Sequence, residues 1–302
     1  MPCWIQPHPA NKPYEHDQAI YMSLISVILA LILDRLLREH HDLRDLGWFE
    51  HYSAKLNKAL TLANPAVRIG LILLLPLGLV LLVQYAFYDL LFNIPYFIFG
   101  VVVLLYCLGP ACLASEIEAY LDARSLGDDD EALHYAGVLT ERAASSVPDQ
   151  QTSDVTRAIL YVANQRIFSV LVWFVLFGPI GAMTFRFVTQ LSRQLDASPK
   201  QLELAKKIHA LLEWLPARML ALAYAMMGNF EGAVHAYHSR AHEPDIALNN
   251  YDVLVGTGMG AIKDQTSMDE VVTIHAARGL VMRSILVWVT ILALLTLGGW
   301  LG

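Results

Sequence analysis

NQRIFSVLVWFVLFGPIGAMTFR, residues 164–186, decides how this chain folds. The run from Ile167 to Phe187 is long enough to cross a hydrocarbon layer of about 30 Å once at about 1.5 Å per helical residue. Gly178, Pro179 and Gly181 interrupt it, and Arg193, Lys200, Lys206 and Lys207 follow it. A single outward crossing would leave those cations on the wrong side. Two readings remain open. Either the Gly178-Pro179-Ile180-Gly181 break makes a re-entrant hairpin, or Ile208 to Met227 crosses straight back. That second segment, IHALLEWLPARMLALAYAMM, carries Glu213, Pro216 and Arg218 and equally suits the membrane interface. A hairpin followed by an interfacial or partly buried helix is the favoured reading.

The rest of the chain repeats the apolar theme. Over 302 residues it is 56% hydrophobic and 16% charged, with mean hydropathy +0.44, and the excess is gathered into runs of about twenty residues. The first span is Met22 to Leu37, closed by Asp34 and Arg35. A loop over residues 38–68 with Arg44, Lys55 and Lys58 is placed in the cytoplasm. Ile69 to Phe92 spans next, Asn93-Ile94-Pro95 turns, and Tyr96 to Ala114 returns, completing three membrane helices within residues 22–114. Residues 115–163 read as a cytoplasmic helical insertion, 164–228 as the central run with its interfacial helix, 229–279 as a cytoplasmic polar block, and 280–302 as the last membrane helix. The expected architecture is an all-α, polytopic membrane helical protein. It has about four firm spans, a re-entrant or extra span, and cytoplasmic or interfacial helices. Residues 1–21 are polar and Pro-rich, without the apolar centre of a signal peptide, and are expected to be a disordered leader or an extension ahead of a start at Met22.

Composition also excludes some functions. A net charge of -7 and a pI near 5.8, with no basic stripe, argue against nucleic acid as a partner. Cys3, Cys107 and Cys112 are too few for a disulfide framework, and the last two suit packing in an apolar run. No nucleophile, base and acid share a spacing that would fix a triad.

Several groups could carry chemistry. Glu231, His235, His238 and His242 fall on one face if their stretch is helical, and could hold a transition metal or haem given a further ligand. The competing reading is a solvated amphipathic face, and no cofactor is otherwise expected. Gly256-Thr257-Gly258-Met259-Gly260 resembles a phosphate-cradling loop but lacks a strand before it, so close packing or a flexible turn competes. Asp128 to Glu131 could hold Mg²⁺ or simply start a helix. Asp34, Arg35, Arg186, Glu213 and Arg218 are charges in or beside apolar runs, where they serve either function or ion pairs that lock the bundle. Asp34 with Arg186 or Arg218 is the expected pair.

Four segments together resemble the AmpE membrane proteins: MSLISVILALILDRLL (22–37), CLGPACLASEIEAYLDA (107–123), Gly178-Pro179-Ile180-Gly181-Ala182 with Phe185-Arg186, and Glu213-Trp214-Leu215-Pro216-Ala217-Arg218 with Gly228-Asn229-Phe230-Glu231-Gly232-Ala233. That family is in turn similar to adenosylcobinamide-phosphate synthase, and the likeness runs from about Met22 to Gly302. In the enzyme branch it would imply an ATP-dependent amide ligation onto a corrinoid. This chain departs from that branch. Ala163-Asn164-Gln165-Arg166-Ile167-Phe168 keeps only the Asn of an acidic Glu-Asn-Thr-x-Asp-Gly pattern. Leu139-Thr140-Glu141-Arg142 replaces Gly-Arg-Asp-Thr, and Leu248-Asn249-Asn250-Tyr251 replaces Asn-Ala-Gly-Trp, leaving Asp252 as a remnant acid. Losing those acids should disable Mg-nucleotide chemistry.

The resemblance implies a non-enzymatic sensor or modulator of the bacterial inner membrane. It would be linked to the amidase that recycles cell-wall muropeptides and to β-lactamase induction. A degenerate pocket is expected from Asp34, Arg35, Asn164, Arg186, Glu213, Arg218 and Asp252. The alternatives are an active ligase of the synthase type and an accessory subunit of a larger membrane complex. Expected partners are the lipid bilayer, a small cell-wall or nucleotide-like ligand, and other membrane polypeptides. An intact mass of natively expressed protein beginning at Met22 is the outcome expected for the leader; a mass matching all 302 residues would overturn it.

Overall fold

The computed structural model describes residues 24–34, 46–60, 64–87, 93–108, 113–141, 144–145, 147–194, 197–240, 244–265 and 270–297. All regular structure among them is helical: α1 (Leu24–Asp34), α2 (Gly47–Ala59), α3 (Pro65–Phe87), α4 (Ile94–Leu108), α5 (Leu113–Leu126), α6 (Asp129–Thr140), α7 (Pro148–Ala163), a π turn (Asn164–Phe168), α8 (Ser169–Phe177), α9 (Pro179–Arg193), α10 (Pro199–Met227), α11 (Phe230–Arg240), α12 (Ile246–Ile262), a 3-10 turn (Lys263–Gln265) and α13 (Glu270–Leu297). Among the described residues five helical runs are long and apolar enough to cross a membrane: Pro65–Phe87, Ile94–Leu126, Asp149–Phe177, Pro199–Met227 and Val271–Leu295. The chain is an all-α, multi-pass membrane protein.

Local chemistry sets the helix ends. Asn93, at φ 63°, reverses the chain between α3 and α4, and Gly127, at φ 73°, closes α5. Asp128 then caps α6, its carboxylate accepting from the Glu131 N–H at 3.0 Å. This settles the acidic cluster at 128–131 as a helix start. Proline occupies the first turn of α7, α9 and α10, where a missing N–H costs nothing. Leu74, Leu75, Leu79, Leu82 and Tyr85 on α3 and Ile98 and Val102 on α4 stay exposed, as side chains facing hydrocarbon do.

The central run divides at Gly178. That residue sits at φ 68° and ends α8, and α9 folds straight back along it. Gly181 packs on the Trp173 carbonyl, and Arg193 reaches Gln165 at 3.0 Å, so the two helices run antiparallel. Upstream, α7, the π turn and α8 form one helical run, Asp149–Phe177, across residue 163, where the sequence reading ends the polar insertion. The interfacial segment also starts earlier than its apolar stretch, at Pro199.

Two further elements fix this hairpin. Helix α2 docks on α9 through a stacked Phe49–Phe187 pair with ring centroids 4.4 Å apart, through Gln190 with Glu50, and through Gln194 with Ser53 at 2.8 Å. Helix α10 crosses α7. Tyr161 donates to Glu213 and Tyr224 donates to the Leu160 carbonyl, so two points eleven residues apart on α10 meet the same turn of α7. Helices α11 and α12 close the far end, where Gly232 and Gly260 bring their backbones together.

A Cβ at Gly181 would lie 2.2 Å from the Trp173 carbonyl oxygen, whereas one at Gly70 would meet nothing within 4 Å. Gly181→Ala is therefore expected to lower unfolding stability by about 1–3 kcal/mol. Gly70→Ala should leave it unchanged or raise it by about 0.5–1 kcal/mol. Thermal denaturation of both variants in one detergent reads the difference, and equal midpoints would refute the close hairpin.

Candidate ligand site

The π turn Asn164–Phe168 is the local origin of the site. The Ser169 N–H bonds back to the Asn164 carbonyl, five residues earlier, which inserts one extra residue into the helix. Such bulges are found mostly as single turns and frequently at functional sites. Here the bulge turns Gln165 toward α9 and Arg166 toward α5 and α6.

A continuous chain of polar contacts runs through it. Arg166 pairs with Glu116 at 2.7 Å and with Glu141 at 3.4 Å, and Arg193 pairs with Glu141 at 3.0 Å. Arg193 also donates to the Gln165 Oε1 at 3.0 Å, Gln165 donates to the Tyr161 hydroxyl at 2.9 Å, and that hydroxyl donates to Glu213 Oε2 at 3.2 Å. His209 Nδ1 stands 3.6 Å from the same Glu213 oxygen, its ring 5.6 Å from Phe185. Glu141 holds its place in the left-handed region at φ 54°, a conformation uncommon outside glycine. Two arginines converge on its carboxylate, which opposes that local cost.

Several buried atoms along this layer have no hydrogen-bond partner: Asn164 Oδ1 and Nδ2, Glu213 Oε1, His209 Nε2 and Arg186 Nε. Asn164 and Glu213 are almost wholly buried, at 0% and 1% exposure. An unmade bond at such a group costs about 1–3 kcal/mol, and more when the group is charged. Arg186 shares a face of α9 with Arg193, seven residues on, and makes no ion pair among the described residues. The layer therefore offers one unpaired guanidinium beside open amide, imidazole and carboxylate atoms, a set suited to a small polar ligand with an anionic group.

The sequence-derived candidates separate on this geometry. Glu213 is in the layer, Asn164 opens the π turn that builds it, and Arg186 flanks it on α9. Arg218 lies further along α10, donating to Asn249 and Asn250 with its guanidinium 4.8 Å from the Trp214 ring centre. Neither Arg186 nor Arg218 pairs with Asp34, so the expected pair does not form. Asp252 is on α12, next to Tyr251, whose ring meets Tyr161 at 5.1 Å. Arg35 and His242 lie outside the described residues, as do residues 1–21 and Met22.

Glu231, His235 and His238 are exposed on α11, and among the described residues no three His, Cys, Asp or Glu side chains group to hold a metal. The glycine run 256–260 is interior to α12, not a loop; a Cβ at Gly258 would lie 2.8 Å from Leu160 and one at Gly260 2.4 Å from the Gly232 carbonyl. Those glycines serve close packing. Residues missed as a set were Glu116, Glu141, Tyr161, Gln165, Arg166, Arg193 and His209. For Tyr161 with Gln165 and His209 with Glu213 the signal was their i, i+4 spacing, while the arginine–carboxylate contacts are long-range and left none.

Comparison with known proteins follows the same line. Residues 22–302 match the family described as "Regulatory signalling modulator protein AmpE". The chain is similar to Protein AmpE of Shigella flexneri, 25% identical over 297 residues that cover 92% of this chain and 99% of that protein. It is also similar to the cobalamin biosynthesis protein CobD of Stutzerimonas stutzeri, 25% identical over 53% of this chain and 54% of that one. A CobD of Chromobacterium violaceum is 26% identical over 53% of each. No solved structure matches.

The Arg166–Glu116 pair is 15% and 11% exposed, whereas Lys207–Glu203 is 71% and 66% exposed. Glu116→Gln leaves the mostly buried Arg166 guanidinium with only its longer contact to Glu141 and is expected to cost about 1–3 kcal/mol of stability. Glu203→Gln should produce no measurable change. Parallel denaturation curves check this, and equal losses would mean that the layer is not buried as described.

Proposed function

The chain belongs to the AmpE family of regulatory signalling modulators, and on that premise we propose that it is a non-enzymatic modulator of the bacterial inner membrane. It acts in cell-wall recycling and β-lactamase induction by binding a small ligand at the layer around Arg186, His209 and Glu213. The observation that carries this reading is the use made of charge in the layer. Glu116 and Glu141 are each tied to an arginine, while Arg186 keeps its charge unpaired. Mg²⁺ with a nucleotide is held through one or two carboxylates, of which the layer leaves only Glu213 without an arginine, and a site for an anionic ligand needs a free cation. Muropeptides carry carboxylates and amides, which suit Arg186 together with the unpartnered atoms of Asn164, His209 and Glu213.

The likeness to CobD proteins over half the chain supports a second reading, an ATP-dependent amide ligase. The two are separated directly. Purified chain given Mg-ATP, a corrinoid acid and an aminopropanol donor is expected to form no amide, and amide formation would replace the first reading with the second.

Removing one charged hydrogen bond costs about 1.5–3 kcal/mol, or roughly 10- to 150-fold in affinity. Arg186→Gln is expected to weaken muropeptide binding by that factor in calorimetric titration while the protein still inserts into membranes. In cells it should change β-lactamase induction. Unchanged binding and unchanged induction would remove the layer as the ligand site.

A further inference from the structure

Away from the polar layer, α8, α10, α13 and Val27 of α1 enclose a cavity of about 230 Å³. Its wall is apolar throughout, with Phe168, Leu171, Leu215, Met219, Trp288 and Leu292 among its residues. The one polar atom of the Trp288 ring is already used, since its N–H donates to the Met219 carbonyl at 3.1 Å. An apolar cavity of about 150 Å³ is known to stay dry and to accept a hydrocarbon such as benzene. This one is larger and equally without polar partners, so water has nothing to hold it there.

The cavity also reaches the membrane face. Leu176 and Leu215 line it and are 52% and 39% exposed, and on α13 Leu286 and Leu294, which are not part of its wall, are 59% and 65% exposed. All three bounding runs, Asp149–Phe177, Pro199–Met227 and Val271–Leu295, are long and apolar enough to cross a bilayer. The surface onto which the cavity opens is therefore continuous with the surface that meets lipid hydrocarbon. From this continuity and the wholly apolar wall we infer that the cavity is a lipid site, holding one acyl chain of a bilayer lipid between α8 and α13 against Trp288. Its wall uses none of the layer's polar groups, and its occupant does not depend on the ligand proposed for that layer.

The test uses the full chain in vesicles of phosphatidylethanolamine and phosphatidylglycerol whose acyl chains carry a mid-chain dibromide, which quenches indole emission on contact. The difference between the wild type and Trp288→Phe isolates the emission of Trp288. That emission is expected to fall at least threefold relative to unbrominated vesicles. Val289→Phe and Leu292→Phe fill the cavity and should restore at least half of it, whereas Leu294→Phe, on the outer surface, should restore none. If a filling variant fails to fold, the other decides. Native mass spectrometry after detergent exchange provides the second readout, with one retained phospholipid per wild-type chain and none in the folded filling variant. Unquenched Trp288, as when residues 1–21 of the chain occupy the cavity, or quenching that the filling variants leave unchanged, would overturn the assignment.

Discussion

An arginine placed inside a bundle of apolar helices is costly unless it meets counter-charge there, because little water is available to solvate it. Arg166 meets two carboxylates. Glu116 comes from α5 and Glu141 from the end of α6, fifty and twenty-five residues away in sequence. Much of the architecture answers this demand. Helix α5 presents Glu116 to the π turn, α6 ends in a left-handed residue that brings Glu141 within reach, and α9 folds back far enough for Arg193 to share the same carboxylate. Without the reversal at Gly178, Arg193 would sit beyond reach of Gln165 and Glu141.

Burial of hydrocarbon does not hold membrane helices together as it does in water, since lipid tails are as apolar as leucine. Close approach and directed polar contacts take its place, and this chain uses glycine for the first. Gly181 lies on the Trp173 carbonyl, Gly228 on Ala261, and Gly232 and Gly260 on each other. The same economy explains Arg218, whose guanidinium joins α10 to Asn249 and Asn250 at the start of α12. Asn250 in turn donates to the Ala210 carbonyl at 2.8 Å. The Trp-Leu-Pro-Ala-Arg motif is thus a helix–helix clasp before it is anything else.

What could be read from sequence follows from which forces are local. Apolar runs, the turn at Asn93, the cap at Asp128 and the glycine-proline reversal at 178–181 depend on residues within one or two turns, and they were legible. The passage of α7 into α8 was not. Gln165 and Arg166 look like the end of a polar segment until Glu116, Glu141 and Arg193 are seen to satisfy them, and nothing in a window of twenty residues contains those partners. In helix α12 the competing reading of close packing is the one the structure shows. Its glycines suggest a phosphate loop because that motif is read without the neighbouring backbones that the glycines admit. In the site itself, Arg186 and Glu213 were visible as charges in or beside apolar runs, and Asn164 only through the family resemblance. His209 and Tyr161 were hidden, because an exposed interfacial helix and a buried one have the same composition over that stretch.

The polar layer and the apolar cavity meet at one residue. Phe168 ends the π turn and walls the cavity, its ring 6.1 Å from Trp288. A π turn carries one residue more than an α-helix over the same rise, and each residue of an α-helix turns the chain by about 100°. Resetting that turn to α geometry would rotate Tyr161 and Gln165 relative to Phe168 by about that angle. The contact to Glu213 and the cavity wall could not both survive it. The present geometry satisfies both at once, so the groups of the polar layer and those that wall the apolar cavity are set by the same five residues.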